Sequence, residues 1–120
     1  MPHLTLEYTS NLRGAADFQR LFSNIHTGMM STGEFSLNDI KSRAHETTEY
    51  VIGDGDIGKS FVHLKVALLA GRSQELKQVV GDLCLQALRE AYQKELTNGG
   101  CQLCVELLDI HRENYFKALA

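Results

Sequence analysis

The second residue, Pro2, is the only proline in the chain and begins a stretch that alternates like a β-strand. Loss of Met1 would convert the Pro2 nitrogen from an amide into a secondary amine, and α-amino groups titrate at about 7.7–8.0. A nearby cation or an apolar wall would lower that pKa towards the range where a general base works best. Proline is also common at the start of a strand for purely structural reasons. Pro2 is therefore a candidate base whose chemistry depends on its neighbours.

Basic residues at predicted strand ends, or just before a helix, supply the other half of a possible site. They are Arg13, Lys41, Arg43 and Arg72. Each one alone is typical of a solvated surface charge, because lysine and arginine are seldom buried. Gathered around an amine, they would favour its neutral form and bind the carboxylates of a small substrate. The combination predicts proton transfer on a molecule that carries several carboxylates.

A glycine-rich segment, GDGDIGKS at 53–60, satisfies two phosphate-binding patterns, G-x-G-x-x-G and G-x-x-x-x-G-K-S. Both patterns require a helix directly afterwards, because the N-terminus of that helix holds the phosphate. The residues that follow Lys59 have the alternation and composition of a strand instead. Asp54 and Asp56 would also repel phosphate. A turn between two strands explains this segment better than nucleotide binding does.

The cysteines and histidines do not indicate a metal or redox site. Cys101 and Cys104 form a C-x-x-C pattern, but residues three apart on a strand point to opposite faces. Cys84 falls in the apolar pattern of a helix and is interpreted as a core residue. The five histidines lack metal-ligand spacing. We expect no metal site.

Size and charge favour a single domain, 1–120, that acts on a small molecule. The length allows a core without disulfides, and three cysteines do not make a disulfide framework. The net charge is −3 with scattered basic residues, which argues against nucleic acid or an anionic membrane as a partner. No apolar run is long enough to span a bilayer, and the first residues do not resemble a signal peptide. We expect a cytoplasmic protein.

The apolar periodicity predicts a strand–helix–strand unit that occurs twice. Strands are expected at about 1–8, 39–52, 60–70 and around 103–107, and helices at 15–31 and from 73 to about 98. Residues 111–120 are predicted to form a short helical tail. Each long helix can connect two parallel strands by a right-handed crossover. The predicted fold class is α/β (α+β), a duplicated β-α-β fold with a four-stranded mixed sheet and both helices on one face.

The other face of that sheet would be uncovered in a monomer. Alternation along the strands places Lys41, His63, Lys65 and Gln102 on it, together with apolar atoms. Parallel sheets are normally covered on both faces. The sequence therefore predicts a symmetric oligomer that covers the second face.

Five short stretches, in this order and spacing, resemble the 5-carboxymethyl-2-hydroxymuconate isomerase family of the tautomerase superfamily. They are Met-Pro-His at 1–3, Asn-Leu-Arg at 11–13, Lys-Ser-Arg-Ala-His at 41–45, Phe-Val-His at 61–63 and Ala-Gly-Arg-Ser at 70–73. The similarity covers nearly the whole chain and loosens after about residue 109. It implies a homotrimer with enclosed sheets, and active sites near the subunit boundaries. It also implies a cofactor-independent proton shift in homoprotocatechuate breakdown.

The resemblance also implies roles for single residues. Pro2 would take a proton from one carbon of the substrate and return it at another, while Arg72 would bind a carboxylate and stabilise dienolate charge. Lys41 stands where the family has an arginine, and lysine lacks the fork that grips a carboxylate with two hydrogen bonds. Arg43, on the same strand face, would help to bind the substrate, and Arg13 is a further candidate.

A second interpretation is a protein of the same fold that binds a small molecule or a protein partner without turnover, because fold does not determine function. Retention of Met1 would favour it, since the Pro2 nitrogen would then be an amide with no lone pair to accept a proton. Nucleotide binding through residues 53–60 is a third interpretation, and a thermal-shift assay with nucleotide tests it.

Overall fold

The computed structural model describes residues 1–119, which form one four-stranded sheet with helices packed on one face. The strands are β1 (His3–Thr9), β2 (Lys41–Thr47), β3 (Ser60–Leu69) and β4 (Cys101–Ile110). The helices are α1 (Phe18–Ser31), α2 (Gln74–Ala91) and a short α3 (Gln93–Asn98). Single 3-10 turns cover Ser10–Leu12, Leu37–Asp39 and Arg112–Asn114.

The sheet has the strand order β2-β1-β3-β4. β1 pairs in parallel with β2, and β3 pairs in parallel with β4, so each pair is joined by a helix as a β-α-β unit. The two units meet where β1 and β3 pair in antiparallel fashion. This arrangement confirms the predicted duplicated fold with a mixed sheet.

The core lies between the sheet and the helices because alternate strand residues point to the same side. The strands contribute Leu4, Leu6, Val62, Leu64, Val66 and Leu68, all buried. The two long helices contribute Leu21, Ile25, Met29, Val80, Cys84 and Leu88. Burial raises the pKa of the Cys84 thiol to about 12. Cys84 is therefore an unreactive core residue, as predicted.

Two predicted boundaries in the first unit were wrong by several residues. β2 ends at Thr47 and not at 52, because its partner β1 ends at Thr9, which is paired with Thr47. No strand lies beyond that point for the following residues to pair with. α1 begins at Phe18 and not at 15, because Asp17 caps it by accepting a hydrogen bond from the Arg20 amide.

Two boundaries in the second unit also differ. The predicted long helix is divided at Tyr92, whose backbone leaves the helical region and whose side chain is fully buried, and α3 follows. β4 is longer than its apolar alternation indicates, because it pairs with the whole of β3, from Ser60 with Cys101 to Leu69 with Ile110. Pairing along a complete neighbour extended the strand beyond its apolar pattern.

The glycine-rich segment is a turn that leads directly into β3, as predicted, and no helix follows it. Gly100, at a φ of +77°, lies against this turn, and a Cβ there would be 2.7 Å from the Gly58 carbonyl oxygen. The Ser60 amide donates to the Gly100 carbonyl oxygen at 2.9 Å. The glycines therefore allow two turns to pack closely. Because a strand follows the segment, there is no helix N-terminus here to hold a phosphate.

The C-terminal tail is less helical than predicted. Only Arg112–Asn114 makes a 3-10 turn, and 115–119 contain no regular element, while the last predicted residue, 120, lies outside the described residues. In the described part of the chain, no helix combines the length and apolar character that a membrane span requires.

Candidate functional site

The parallel pairing of β1 and β2 places Pro2 beside Lys41. The strand register aligns His3 with Lys41, and the Lys41 amide donates to the Pro2 carbonyl oxygen at 3.1 Å. Pro2 itself is buried, and so is Ile40, which precedes β2. Two of the predicted site residues are thus neighbours because parallel strands begin at the same edge of a sheet.

The pKa of the Met1 amine depends on the charged groups near this edge of the sheet. Burial lowers its pKa most; Asp39 raises that pKa, and the positive charges of Arg72, Lys117 and Lys41 lower it. The net effect favours a neutral amine at this position. Loss of Met1 would leave the amine on the adjacent residue, within the same group of charges.

Arg72 reaches the same edge from the second unit, because β3 runs antiparallel to β1 and ends beside its start. Gly71, at a φ of +111°, turns the chain after β3. The Arg72 guanidinium lies over the buried Phe35 ring, 4.7 Å from its centroid, and its Nη1 is 3.6 Å from Glu34 Oε1. The buried Arg72 Nε has no hydrogen-bond partner among the described residues. The chain therefore leaves part of the hydrogen-bonding capacity of Arg72 unused, and the 25% of its side chain that is exposed can be reached by a ligand.

Two lysines complete the cluster, and one of them, Lys117, was not predicted. Lys41 Nζ donates to the Asp39 carbonyl oxygen at 3.2 Å, and Lys117 Nζ lies 3.5 Å from Asp39 Oδ1. Both ammonium groups also contact the Met1 sulfur, at 3.8 and 3.5 Å respectively. A lysine in an aperiodic tail has no spacing signal that links it to residue 41. The position of Lys117 beside Lys41 could therefore not be predicted from the sequence.

Arg43 lies on the open face of the sheet, where it binds His3. Its Nη2 donates to His3 Nδ1 at 3.1 Å, and His3 Nε2 is 2.8 Å from the Tyr115 hydroxyl. Burial, and then the charges of Arg43 and Lys41, lower the His3 pKa. Because an arginine can only donate hydrogen bonds, His3 Nδ1 must accept. A neutral His3 therefore carries its proton on Nε2, which donates a hydrogen bond to the Tyr115 hydroxyl. Arg43 thus lies two residues along β2 from Lys41 and orients His3, which in turn bonds to Tyr115 of the tail.

Arg13 is at the other end of β1 and is not brought to this cluster. Its guanidinium binds the Glu46 carboxylate with two nitrogens, Nε at 2.8 Å from Oε1 and Nη2 on Oε2. Tyr8 donates to the same carboxylate at 3.3 Å. The hydrogen bond from Arg13 lowers the Glu46 pKa. Within one chain, Arg13 is a satisfied surface ion pair.

A separate groove of about 590 Å³ runs between α1 and β2. It is lined by Phe18, Phe22 and Leu37, and His26 Nε2 in it is 2.7 Å from the Ser42 hydroxyl. The groove does not include the predicted base or the two cations beside it. Among residues 1–119, no three His, Cys, Asp or Glu side chains converge in a way that could hold a metal ion.

The cluster therefore combines a buried chain start, three cations and one free guanidinium donor. Positive charge favours a neutral amine, which is the form that can accept a proton. The same charge binds carboxylates and stabilises negative charge that develops on a substrate. The arrangement suits proton abstraction from an anionic small molecule.

Comparison with known proteins gives a consistent result. The model of the family described as 5-carboxymethyl-2-hydroxymuconate isomerase matches residues 2–119. A curated 5-carboxymethyl-2-hydroxymuconate Delta-isomerase from Escherichia coli is 29% identical over 117 residues, which span 98% of this chain and 93% of that protein. A crystal structure of a 5-carboxymethyl-2-hydroxymuconate isomerase from Deinococcus radiodurans R1 has a TM-score of 0.90 and 30% identity, covering 98% of this chain and 88% of its own.

The fold also occurs in more distant structures. One described as a fused 4-OT wild-type symmetric trimer has a TM-score of 0.75 with 22% identity, and covers 97% of this chain and 91% of its own. At that identity the similarity concerns the fold.

Proposed function

The chain belongs to the 5-carboxymethyl-2-hydroxymuconate isomerase family, and on that premise we propose that it moves a proton within an unsaturated 2-hydroxy or 2-oxo acid bearing two or three carboxylates. The observation that carries this proposal is the group of cations, Arg72, Lys117 and Lys41, whose charges act on an amine at the chain start. The substrate named by the family, 5-carboxymethyl-2-hydroxymuconate, is our first candidate, with a role in the breakdown of aromatic compounds.

In the proposed mechanism Pro2 is the base and the acid, once Met1 has been removed. Its neutral secondary amine takes a proton from one end of the conjugated system of the substrate. The electrons shift through the conjugated bonds, and the resulting ammonium returns the proton to a carbon at the other end. The substrate keeps its composition and its overall oxidation level, so the step needs no oxidant and no cofactor.

Arg72 and Lys41 would act on the charge of the substrate. Arg72 makes only a 3.6 Å contact with Glu34 and its side chain is 25% exposed, so the outer nitrogens of its guanidinium are able to bind a carboxylate. Lys41 is exposed and supplies a second positive charge, although without a guanidinium fork. Both charges would stabilise the dienolate that forms when the proton leaves.

Pro2→Ala tests this proposal in protein whose mass shows that Met1 is absent. Alanine keeps an amine of different basicity and geometry, so we expect kcat/KM for 5-carboxymethyl-2-hydroxymuconate to fall about 100-fold without vanishing. An unchanged melting temperature would show that the loss is chemical. Unchanged turnover in this variant would exclude Pro2 as the base.

The proposal includes a homotrimer, in which other copies cover the open face of the sheet. That face carries the His63–Glu106 pair at 3.0 Å and the partly exposed Leu108, in a sheet whose other face is fully packed. A symmetric trimer is also what the fused 4-OT structure is described as. Light scattering should give three times the chain mass of 13.4 kDa. A monomer mass at assay concentration would contradict this part of the proposal.

A further inference from the structure

The C-terminal tail returns across the sheet to the start of β1. Arg112 Nε donates to the Ala70 carbonyl oxygen at 2.6 Å, directly before the turn that carries Arg72. Three residues later, Tyr115 accepts a hydrogen bond from His3 at 2.8 Å. Two anchors, one on each β-α-β unit, therefore fix the path of the tail and determine where the residues after them lie.

Beyond these anchors, Lys117 turns in towards the chain start while its neighbours face solvent. The Lys117 side chain is only 32% exposed, whereas Phe116 is 87% and Leu119 is 86% exposed. The Lys117 ammonium is therefore directed at the chain start and partly covered there, while the residue as a whole remains exposed. Among residues 1–119 its one anionic contact, Asp39 at 3.5 Å, is long for an ion pair with strong hydrogen bonding.

The Met1 sulfur lies between two ammonium groups, 3.5 Å from Lys117 Nζ and 3.8 Å from Lys41 Nζ. A thioether is a weak acceptor and gives these charges little compensation. A carboxylate at the same position would contact both. If Met1 is removed, that position is open, and it lies beside the new chain terminus.

We propose that Lys117 is a specificity-determining residue that binds, together with Lys41, one substrate carboxylate at the position of the Met1 sulfur. This inference rests on the proposed function and on the loss of Met1. Arg72, on the other side of the chain start, is then free to bind a second carboxylate. The enzyme would consequently prefer substrates with two or three carboxylates over those with one.

Binding and turnover of Lys117→Gln test the inference in Met1-free protein. Calorimetry with propane-1,2,3-tricarboxylate should show about tenfold weaker binding than wild type, because one charge-assisted contact is lost. The KM for 5-carboxymethyl-2-hydroxymuconate should rise about tenfold, and that for phenylenolpyruvate, which has one carboxylate, less than about twofold. Lys117→Arg should retain most of the affinity. Lys94→Gln, which removes an exposed lysine on α3, is the matched control and should behave as wild type.

Two results would overturn the inference. One is tricarboxylate binding that is absent from wild type or equal in wild type and Lys117→Gln. The other is a KM that rises equally for both substrates, which would show that Lys117 acts on the fold of the tail. Binding that depends on Lys117 without any turnover would support the inference and contradict the proposed isomerase activity. Turnover that does not depend on Lys117 would support the proposed isomerase activity and contradict the inference.

Discussion

An arginine lies beside each end of β1: Arg72 at the near end, where His3 begins the strand, and Arg13 at the far end, beyond Thr9. The two arginines differ in how tightly they are paired. At the far end, Arg13 binds Glu46 with two nitrogens, and Tyr8 donates to the same carboxylate. At the near end, Arg72 makes one contact of 3.6 Å with Glu34 and leaves its buried Nε without a partner. Arg13 is thus held by a two-nitrogen contact with a carboxylate of its own chain, whereas Arg72 has only one long contact.

This difference separates a structural charge from one that is available to a ligand. The Glu46 carboxylate already accepts three hydrogen bonds, so separating Arg13 from it would cost free energy. A loosely paired guanidinium that is held in place by an aromatic ring loses little when a substrate replaces its partner. The near end also has two lysines and an amine whose pKa is lowered, while the far end has no comparable group of cations among residues 1–119.

The largest effect among the cations is expected for Arg72→Ala. Loss of charge-assisted hydrogen bonds to a substrate carboxylate and to the dienolate should lower kcat/KM by about 100-fold, or roughly 2–3 kcal/mol. Steady-state kinetics with 5-carboxymethyl-2-hydroxymuconate would measure this, and Arg72→Lys should recover part of the loss. If neither kcat nor KM changes, the free donor at the near end has no role in catalysis.

An intermediate effect is expected on the pH profile of kcat/KM. The neutral amine is the active form, so activity falls as the pH decreases through the amine pKa. Asp39 raises the pKa of the Met1 amine, whereas Arg72, Lys117 and Lys41 lower it, and we expect the same signs for the Pro2 amine of the Met1-free form. Asp39→Asn should therefore move the acidic limb to lower pH, and Lys41→Gln should move it to higher pH. Shifts of the same sign in both variants would show that these charges do not act on the base.

The smallest effect is expected for Arg13→Ala. Because Arg13 is 70% exposed and its contacts are within its own chain, kcat/KM should change by less than about twofold. Glu46→Gln, which removes the other partner of this pair, is the matched control. A loss as large as that of Arg72→Ala would contradict the comparison of the two ends and would place Arg13 in a site completed by another subunit.

Most of the fold could be predicted from the sequence because local pattern and tertiary structure agree. Alternation along β3 and the Ser73 cap of α2 identified these elements correctly, since the Ser73 hydroxyl accepts from the Leu76 amide at 3.1 Å. The wrong boundaries occurred where contacts with another element determine the end of a strand or helix. β2 ends because β1 ends, and α2 is divided where Tyr92 enters the core. Such limits are set by residues far away in the chain, which periodicity does not report.

The candidate site was only partly predictable for the same reason. Pro2, Lys41 and Arg72 were named from their residue types, from positions near strand ends and from the family resemblance, and the strand register then brings them to one edge of the sheet. Arg13 was named for its charge, but the structure pairs it with Glu46 at the opposite end. Lys117 was missed because the path of the tail depends on two hydrogen bonds to distant residues. The roles of all these residues remain predictions.

The central claim is that a free Pro2 amine is the base, and a comparison of two forms of the protein tests it most directly. One form lacks Met1, as shown by intact mass, and the other keeps Met1 because it is prepared with methionine aminopeptidase inhibited. We predict that kcat/KM for 5-carboxymethyl-2-hydroxymuconate is at least about 100-fold higher in the Met1-free form. Equal turnover by both forms would contradict the account, because an amide nitrogen cannot accept the proton.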